Sequence, residues 1–84
     1  MFNIYLSSHA KRFLRKSQRK VYGRIMKKIK DLSIDPFPSD AKRVAGRKEK
    51  VFRVRVGDYR IQYVVFYDRN EILITEIDKR EGAY

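Results

Sequence analysis

Arg53, Arg55, Arg60 and Gln62 stand at alternate positions around one turn-forming pair, and that spacing points to phosphate chemistry. Val51 to Val56 alternates Phe52, Val54 and Val56 with Arg53 and Arg55. Gly57-Asp58 is a two-residue hairpin signal with glycine first, as a type II′ turn requires. If that pair is the loop, Val56 faces Tyr59, Arg55 faces Arg60, Val54 faces Ile61 and Arg53 faces Gln62. Phe52, Val54, Val56, Tyr59, Ile61 and Tyr63 then share the face that packs on a core, and Arg53, Arg55, Arg60 and Gln62 share the other. Like charges directly opposite each other cost up to about 1 kcal/mol per pair. A bound anion relieves that repulsion. Guanidinium suits a phosphodiester because its fork grips two oxygens and it keeps its proton. The plain alternative is a solvated face whose arginines pair with carboxylates, Glu71 and Glu76 being the candidates.

The tail extends the same set. The last strand is expected to end near Ile77, so residues 78–84 leave at one sheet edge, where Arg80 could fold over the arginine face and Tyr84 could reach it. A tyrosine there offers a hydroxyl for proton transfer or a ring for base stacking, against the ordinary outcome of a frayed end.

Charge supports a polyanionic partner. The 84 residues carry 21 Lys and Arg against 10 Asp and Glu, a formal net charge of +11. Such a field attracts nucleic acid first, with an acidic protein or anionic membrane behind it, although charge also serves plain solubility. There is no cysteine and one histidine, His9, so disulfides, thiolate metal sites and His-rich zinc sites are excluded. The acids are scattered without two-metal geometry, and neither metal nor cofactor is expected. The apolar start, Met1 to Leu6, is too short for a signal-peptide core, and no run has membrane-spanning length. The expected location is the cytoplasm.

The elements that must position these residues fit one domain over residues 1–84. A chain of this size buries roughly 60% of its unfolded surface, enough for one core between two layers. Phe2, Ile4 and Leu6 alternate as a short strand. Ser7-Ser8 is an N-cap signal before a brief helix with Ala10, Phe13 and Leu14 on one face, and Ser17 is a second cap signal. Val21, Tyr22, Ile25, Met26, Ile29 and Leu32 mark an amphipathic helix of about four turns, whose other face carries Arg19, Lys20, Arg24, Lys27 and Lys28. That basic face could bind phosphates or be merely solvated. The segment 35–40, with Pro36 and Pro38, reads as a hinge between a helical half and a sheet half. Ala41 to Ala45 is a possible short strand; Tyr59 to Phe66 and Glu71 to Ile77 follow the hairpin turn and the turn at 67–70. The fold class is α+β: two N-terminal helices on one face of a small, largely antiparallel four- to five-stranded sheet, in the order β-α-α-β-β-β-β. His9 reads as a helix-surface residue, and Tyr5, Tyr22 and Tyr63 as core or core-edge.

Val44-Ala45-Gly46, the segment Val51 to Tyr63 and the ending Ile77-Asp78-Lys79-Arg80-Glu81 resemble the signature of the RelE/ParE toxin superfamily, over nearly the whole chain. The resemblance to RelE-type toxins implies a ribosome-dependent endoribonuclease that cleaves mRNA in the ribosomal A site, without metal, and a cognate RelB-like antitoxin that wraps it. It carries the family's basic sites onto Arg53, Arg55, Arg60 and Arg80, and its C-terminal tyrosine onto Tyr84. Gln62, Lys79 and the helix residues Arg19, Arg24, Lys27 and Lys28 are the expected RNA contacts. Positions 53 and 55 are often lysine in the family, where a lysine has been considered as proton acceptor; arginine cannot take that role. The implied reaction is attack of a ribose 2′-OH on the adjacent phosphorus, with Arg60 and Arg80 stabilising the transition state, Arg53 and Arg55 holding the phosphate, and Tyr84 as candidate base. The rival readings are a ParE-like toxin directed at DNA gyrase and a non-catalytic RNA-binding module.

Overall fold

The computed structural model describes residues 1–79. Its elements run in the order β1 (Asn3–Leu6), α1 (Ser8–Lys16), α2 (Arg19–Ile34), β2 (Lys42–Arg43), β3 (Val51–Val56), β4 (Tyr59–Phe66), a single 3-10 turn (Tyr67–Arg69) and β5 (Glu71–Lys79). The strands form one five-stranded sheet in the order β1-β5-β4-β3-β2. The sheet is mixed: β1 lies parallel to β5, and every other pairing is antiparallel.

The two helices start and stop for different local reasons. Ser7 caps α1, its Oγ accepting from the Ala10 N–H and donating to the Thr75 carbonyl. Ser17 does not cap α2, as its type suggested. It closes α1 instead, donating its Oγ–H back to the Phe13 carbonyl, and Gln18 precedes α2 without a side-chain cap. A hydroxyl already committed one turn back cannot also serve forward. At the other end, Asp35 sits in the extended region before Pro36, where the proline ring disfavours helix.

The segment after α2 is no hinge. Pro36 is buried, and its carbonyl accepts a 2.6 Å hydrogen bond from the Tyr63 hydroxyl at the middle of β4. Phe37 packs edge-on to Phe52 at 4.8 Å between ring centres. The connection is thereby pinned to the sheet.

The core lies between the helices and one sheet face. Ala10 and Leu14 of α1 and Ile25, Ile29 and Leu32 of α2 meet Val54, Ile61, Tyr63, Ile72, Ile74 and Ile77. Fully burying a side chain of that size contributes about 1.5–3 kcal/mol. Phe52, Val56 and Tyr59 border the same cluster. Tyr5 and Tyr22 do not: they are 50% and 46% exposed. Tyr5 sits on an edge strand and faces away from the helices, opposite Leu73.

The pattern of β5 breaks step in the middle. Ile72 and Ile74 point to the core, yet the next buried residue is Ile77. Strict alternation would send Glu76 and Asp78 into the core. A β-bulge between the Gln62 and Tyr63 pairings takes up Thr75 as an extra residue, so that Ile77 pairs with Ile61 and Glu76 with Gln62.

Two outcomes are expected. Deleting Thr75 removes the bulge and leaves Ile74, Glu76 and Ile77 in strict alternation, so denaturant unfolding should find a folded protein that has lost about 1–3 kcal/mol with the Ser7 and Gln62 hydrogen bonds of Thr75. Burial, reinforced by the Asp40 and Asp35 carboxylates, pushes the Tyr63 phenol well above its ordinary value of 10.0. The neutral form is therefore the one the fold stabilises, a contribution complete below pH ~10 and lost as pH rises beyond it. Tyr63→Phe should cost about 1–3 kcal/mol at neutral pH through the unpaired Pro36 carbonyl. It should also show a shallower stability loss than wild type above pH ~10.

Candidate functional site

The face of the sheet turned from the helices is where the hairpin delivers its arginines. The β3–β4 register is the one the Gly57-Asp58 turn implies: Arg53 opposite Gln62, Val54 opposite Ile61, Arg55 opposite Arg60 and Val56 opposite Tyr59. Gly57 has φ +59°, and Asp58 is not among the residues of positive φ, as a type II′ turn demands. Two rows of side chains cross the face. One runs Lys42, Arg53, Gln62 and Glu76; the other runs Arg55, Arg60 and Asp78. Directly opposed Cβ atoms in such rows lie roughly 4.5–5.5 Å apart.

The carboxylates do not cancel these cations. Among the described residues, Arg53, Arg55 and Arg60 form no ion pair. Asp78 stands opposite Arg60 in register, but its carboxylate lies 3.5 Å from His9 Nε2 in α1. Glu76 is met by Arg47 from the loop before β3, at 3.9 Å. Glu71, the other sequence candidate, pairs with Arg69 at 3.4 Å. The alternative of an arginine face neutralised by its own acids is therefore not what these residues build. Two polar atoms on this face, Arg60 Nε and Gln62 Oε1, are buried without a hydrogen-bond partner among the described residues. Such groups cost about 1–3 kcal/mol each unless something binds them.

The cationic surface continues around the edge of the sheet. β2 covers β3 only at Phe52 and Arg53, so Arg55 sits on an open edge and is exposed. It borders two cavities. One, of about 500 Å³, is lined by Asp40, Lys42, Arg53, Val54 and Arg55. The other, of about 300 Å³, is lined by Arg24, Lys27, Lys28, Asp31, Arg55 and Val56. Arg24 reaches from α2 across the hairpin turn: a Cβ on Gly57 would lie 2.5 Å from its Nη2. Glycine at 57 thus serves both the turn and this close approach.

The remaining sequence candidates divide. Arg24 and Lys27 join the arginine face through Arg55. Lys28 is tied to Asp40 at 3.1 Å, and Arg19 opens α2 as an exposed residue away from these cavities. Lys79 pairs across from Tyr59 and borders a separate cleft beside α1, so it does not join the arginines. Arg80 and Tyr84 lie outside the described residues. His9 is an exposed residue of α1, as its place in the sequence suggested, but it also makes contacts that the sequence did not show. Its Nε2–H donates to the Ile77 carbonyl at 3.1 Å and meets Asp78, because α1 runs along the edge of β5 where β1 has ended. Lys42, Arg47, Glu76 and Asp78 on or over this face were not singled out as site residues. A bulge has no clear sequence signal, and without it Glu76 and Asp78 face the wrong way. Among the described residues no group of three or more His, Asp or Glu side chains is placed to hold a metal ion, and no helix is long and apolar enough to cross a membrane.

The architecture matches solved toxin structures. Over 98% of both chains it superposes on the RelE–RelB complex of Pyrococcus horikoshii with a TM-score of 0.83 at 23% identity. The isolated E. coli RelE toxin gives a TM-score of 0.84 at 18% identity, over 99% of this chain and 88% of that one. At such identities the likeness is one of fold. In sequence, the chain is 48% identical over 59 residues to the toxin RelE1 of Methanocaldococcus jannaschii, a match covering 67% of this chain and 64% of that relative's length. Residues 4–84 match the family model for the ParE toxin of type II toxin-antitoxin systems. With hairpin, helices and strand order all in agreement, this chain belongs to the RelE/ParE toxin superfamily.

Proposed function

We propose that this chain is the toxin of a type II toxin-antitoxin pair that cleaves mRNA on the ribosome and so stops translation. The observation that carries this is the unneutralised arginine face. Three guanidinium groups converge where Arg60 Nε and Gln62 Oε1 are already desolvated and unpaired among the described residues. A phosphodiester supplies the acceptor that Arg60 Nε lacks and removes the like-charge repulsion, and a ribose hydroxyl can donate to Gln62 Oε1. The route from Arg60 through Arg55 to Arg24 and Lys27 gives flanking phosphates a cationic path.

The chemistry is transesterification within RNA. The 2′-OH attacks the adjacent phosphorus, the 5′-oxygen leaves, and the products are a 2′,3′-cyclic phosphate and a 5′-OH. This nucleophile also separates RNA from DNA. Arg60, with Arg80 by family resemblance, stabilises the charge that builds on the phosphorane-like transition state. Arg53 and Arg55 hold the phosphate, and Tyr84, also by resemblance, offers its hydroxyl or ring to the substrate. The ribosome supplies rigid positioning of the message, which is worth several kcal/mol in such reactions. A RelB-like antitoxin is the partner this reading implies, since relatives of the same fold are described in complex with RelB. The gyrase-directed alternative draws on the ParE description of the family model, but it leaves the arginine face without a role.

In cells expressing the chain alone, primer extension should find cuts in translated messages that vanish when translation is blocked. Intact messages with impaired supercoiling would transfer the assignment to gyrase. In single-turnover cleavage at saturating ribosome, Arg60→Ala should be slower by about 10²–10³-fold; an unchanged rate would remove Arg60 from the mechanism. Lys27→Ala should weaken binding regardless of message sequence and lower the salt slope by about 1.

A further inference from the structure

An arginine face can hold a phosphate and stabilise a transition state, but it cannot start the reaction. Attack by a 2′-OH needs a group that takes its proton, and guanidinium only donates. Gln62, the one uncharged polar residue in the two rows, cannot hold a proton either. On this face the acceptors among the described residues are the β5 carboxylates, Glu76 and Asp78. They are differently placed. Asp78 lies at the α1 edge with its carboxylate drawn to His9. Glu76 lies inward, in the row of Gln62 and Arg53 and diagonal to Arg60. Diagonal neighbours in a sheet are roughly 7–8 Å apart at the backbone, so two long side chains there can reach one substrate lying on the face.

We propose that Glu76 is the proton acceptor for the ribose 2′-OH. This rests on the RNA-cleavage reading and goes beyond it by naming the base. The bulge at Thr75 is what aims Glu76 at this face, and the Thr75 hydroxyl anchors it by donating to the Gln62 carbonyl at 3.2 Å. The carboxylate is 38% exposed, and its tie to Arg47 is 3.9 Å long, well beyond the roughly 2.7–2.9 Å of a charged hydrogen bond. Arg47 therefore leaves the carboxylate's lone pairs open to a hydroxyl. In the step itself the 2′-O–H bond breaks with the proton passing to a Glu76 oxygen. The oxygen's electron pair forms the O2′–P bond. The P–O5′ bond breaks with its pair staying on O5′, which takes a proton from water, and Glu76 returns its proton to the hydroxide left behind. No oxidant, reductant or metal enters the balance.

The test compares wild type, Glu76→Gln, Glu76→Asp, Arg47→Ala and Arg60→Ala in single-turnover cleavage of ribosome-bound message, each variant first shown by thermal melting to be folded. Glu76→Gln should lose about 10²–10⁴-fold in rate, with half-saturating ribosome concentration within about twofold of wild type and the acidic limb of the pH–rate profile abolished. Glu76→Asp should keep that limb at a reduced rate. Arg47→Ala should stay within about threefold of wild type, because it removes the ion pair and leaves the base. Glu76→Gln cleaving within about threefold of wild type, or Arg47→Ala as damaged as Glu76→Gln, would overturn the assignment. The two readings fail separately: an inactive Arg60→Ala beside an active Glu76→Gln sinks only Glu76, whereas a wild type that never cuts RNA sinks both.

Discussion

Arg55 and Arg60 face each other across β3 and β4, and nothing among the described residues separates or neutralises them. The pairing opposes folding by up to about 1 kcal/mol. It persists because the other side of the same two strands leaves the register no freedom. Slipping by one residue would expose Val54, Ile61 and Tyr63 and send the arginines into the core. The hydrophobic face thus holds the cationic face in place against the repulsion between its guanidinium groups.

The acids of the molecule are arranged so that this charge is not dissipated internally. His9 draws Asp78 toward α1, Arg69 occupies Glu71, Lys28 occupies Asp40, and among the described residues Arg47 is the cation that reaches toward Glu76. The outer face is also divided along its length. Away from the hairpin turn, Tyr5, Leu73, Val64 and Val51 stand in one row across β1, β5, β4 and β3 and form an apolar end. Toward the hairpin turn the same face is cationic.

Much of this was legible in the chain. Alternation around Gly57-Asp58 specified the hairpin, its turn type and which arginines share a side. The three- and four-residue steps of Ile25, Ile29 and Leu32 specified the face α2 buries. The misreadings have physical causes. Ser17 was assigned to the wrong helix because a hydroxyl can cap forward or bond backward. Tyr22 was placed at the core from its spacing, which fixes its angle around α2 but not whether another element covers that turn, and it is exposed. The segment at Pro36 looked like a hinge because the bond from Tyr63 that pins it spans 27 positions.

What the sequence determined alone is therefore whatever neighbours can decide: the period of each element, the turn, the net charge and the set of basic residues available. What only the tertiary structure decided is which charges remain unpaired and where the carboxylates point. Glu76 faces the arginines because Thr75 is squeezed out of the ladder to keep Ile77 in the core, and Asp78 is turned aside because α1 runs along the strand edge. Both outcomes follow from packing between segments far apart in the chain, which local alternation cannot encode.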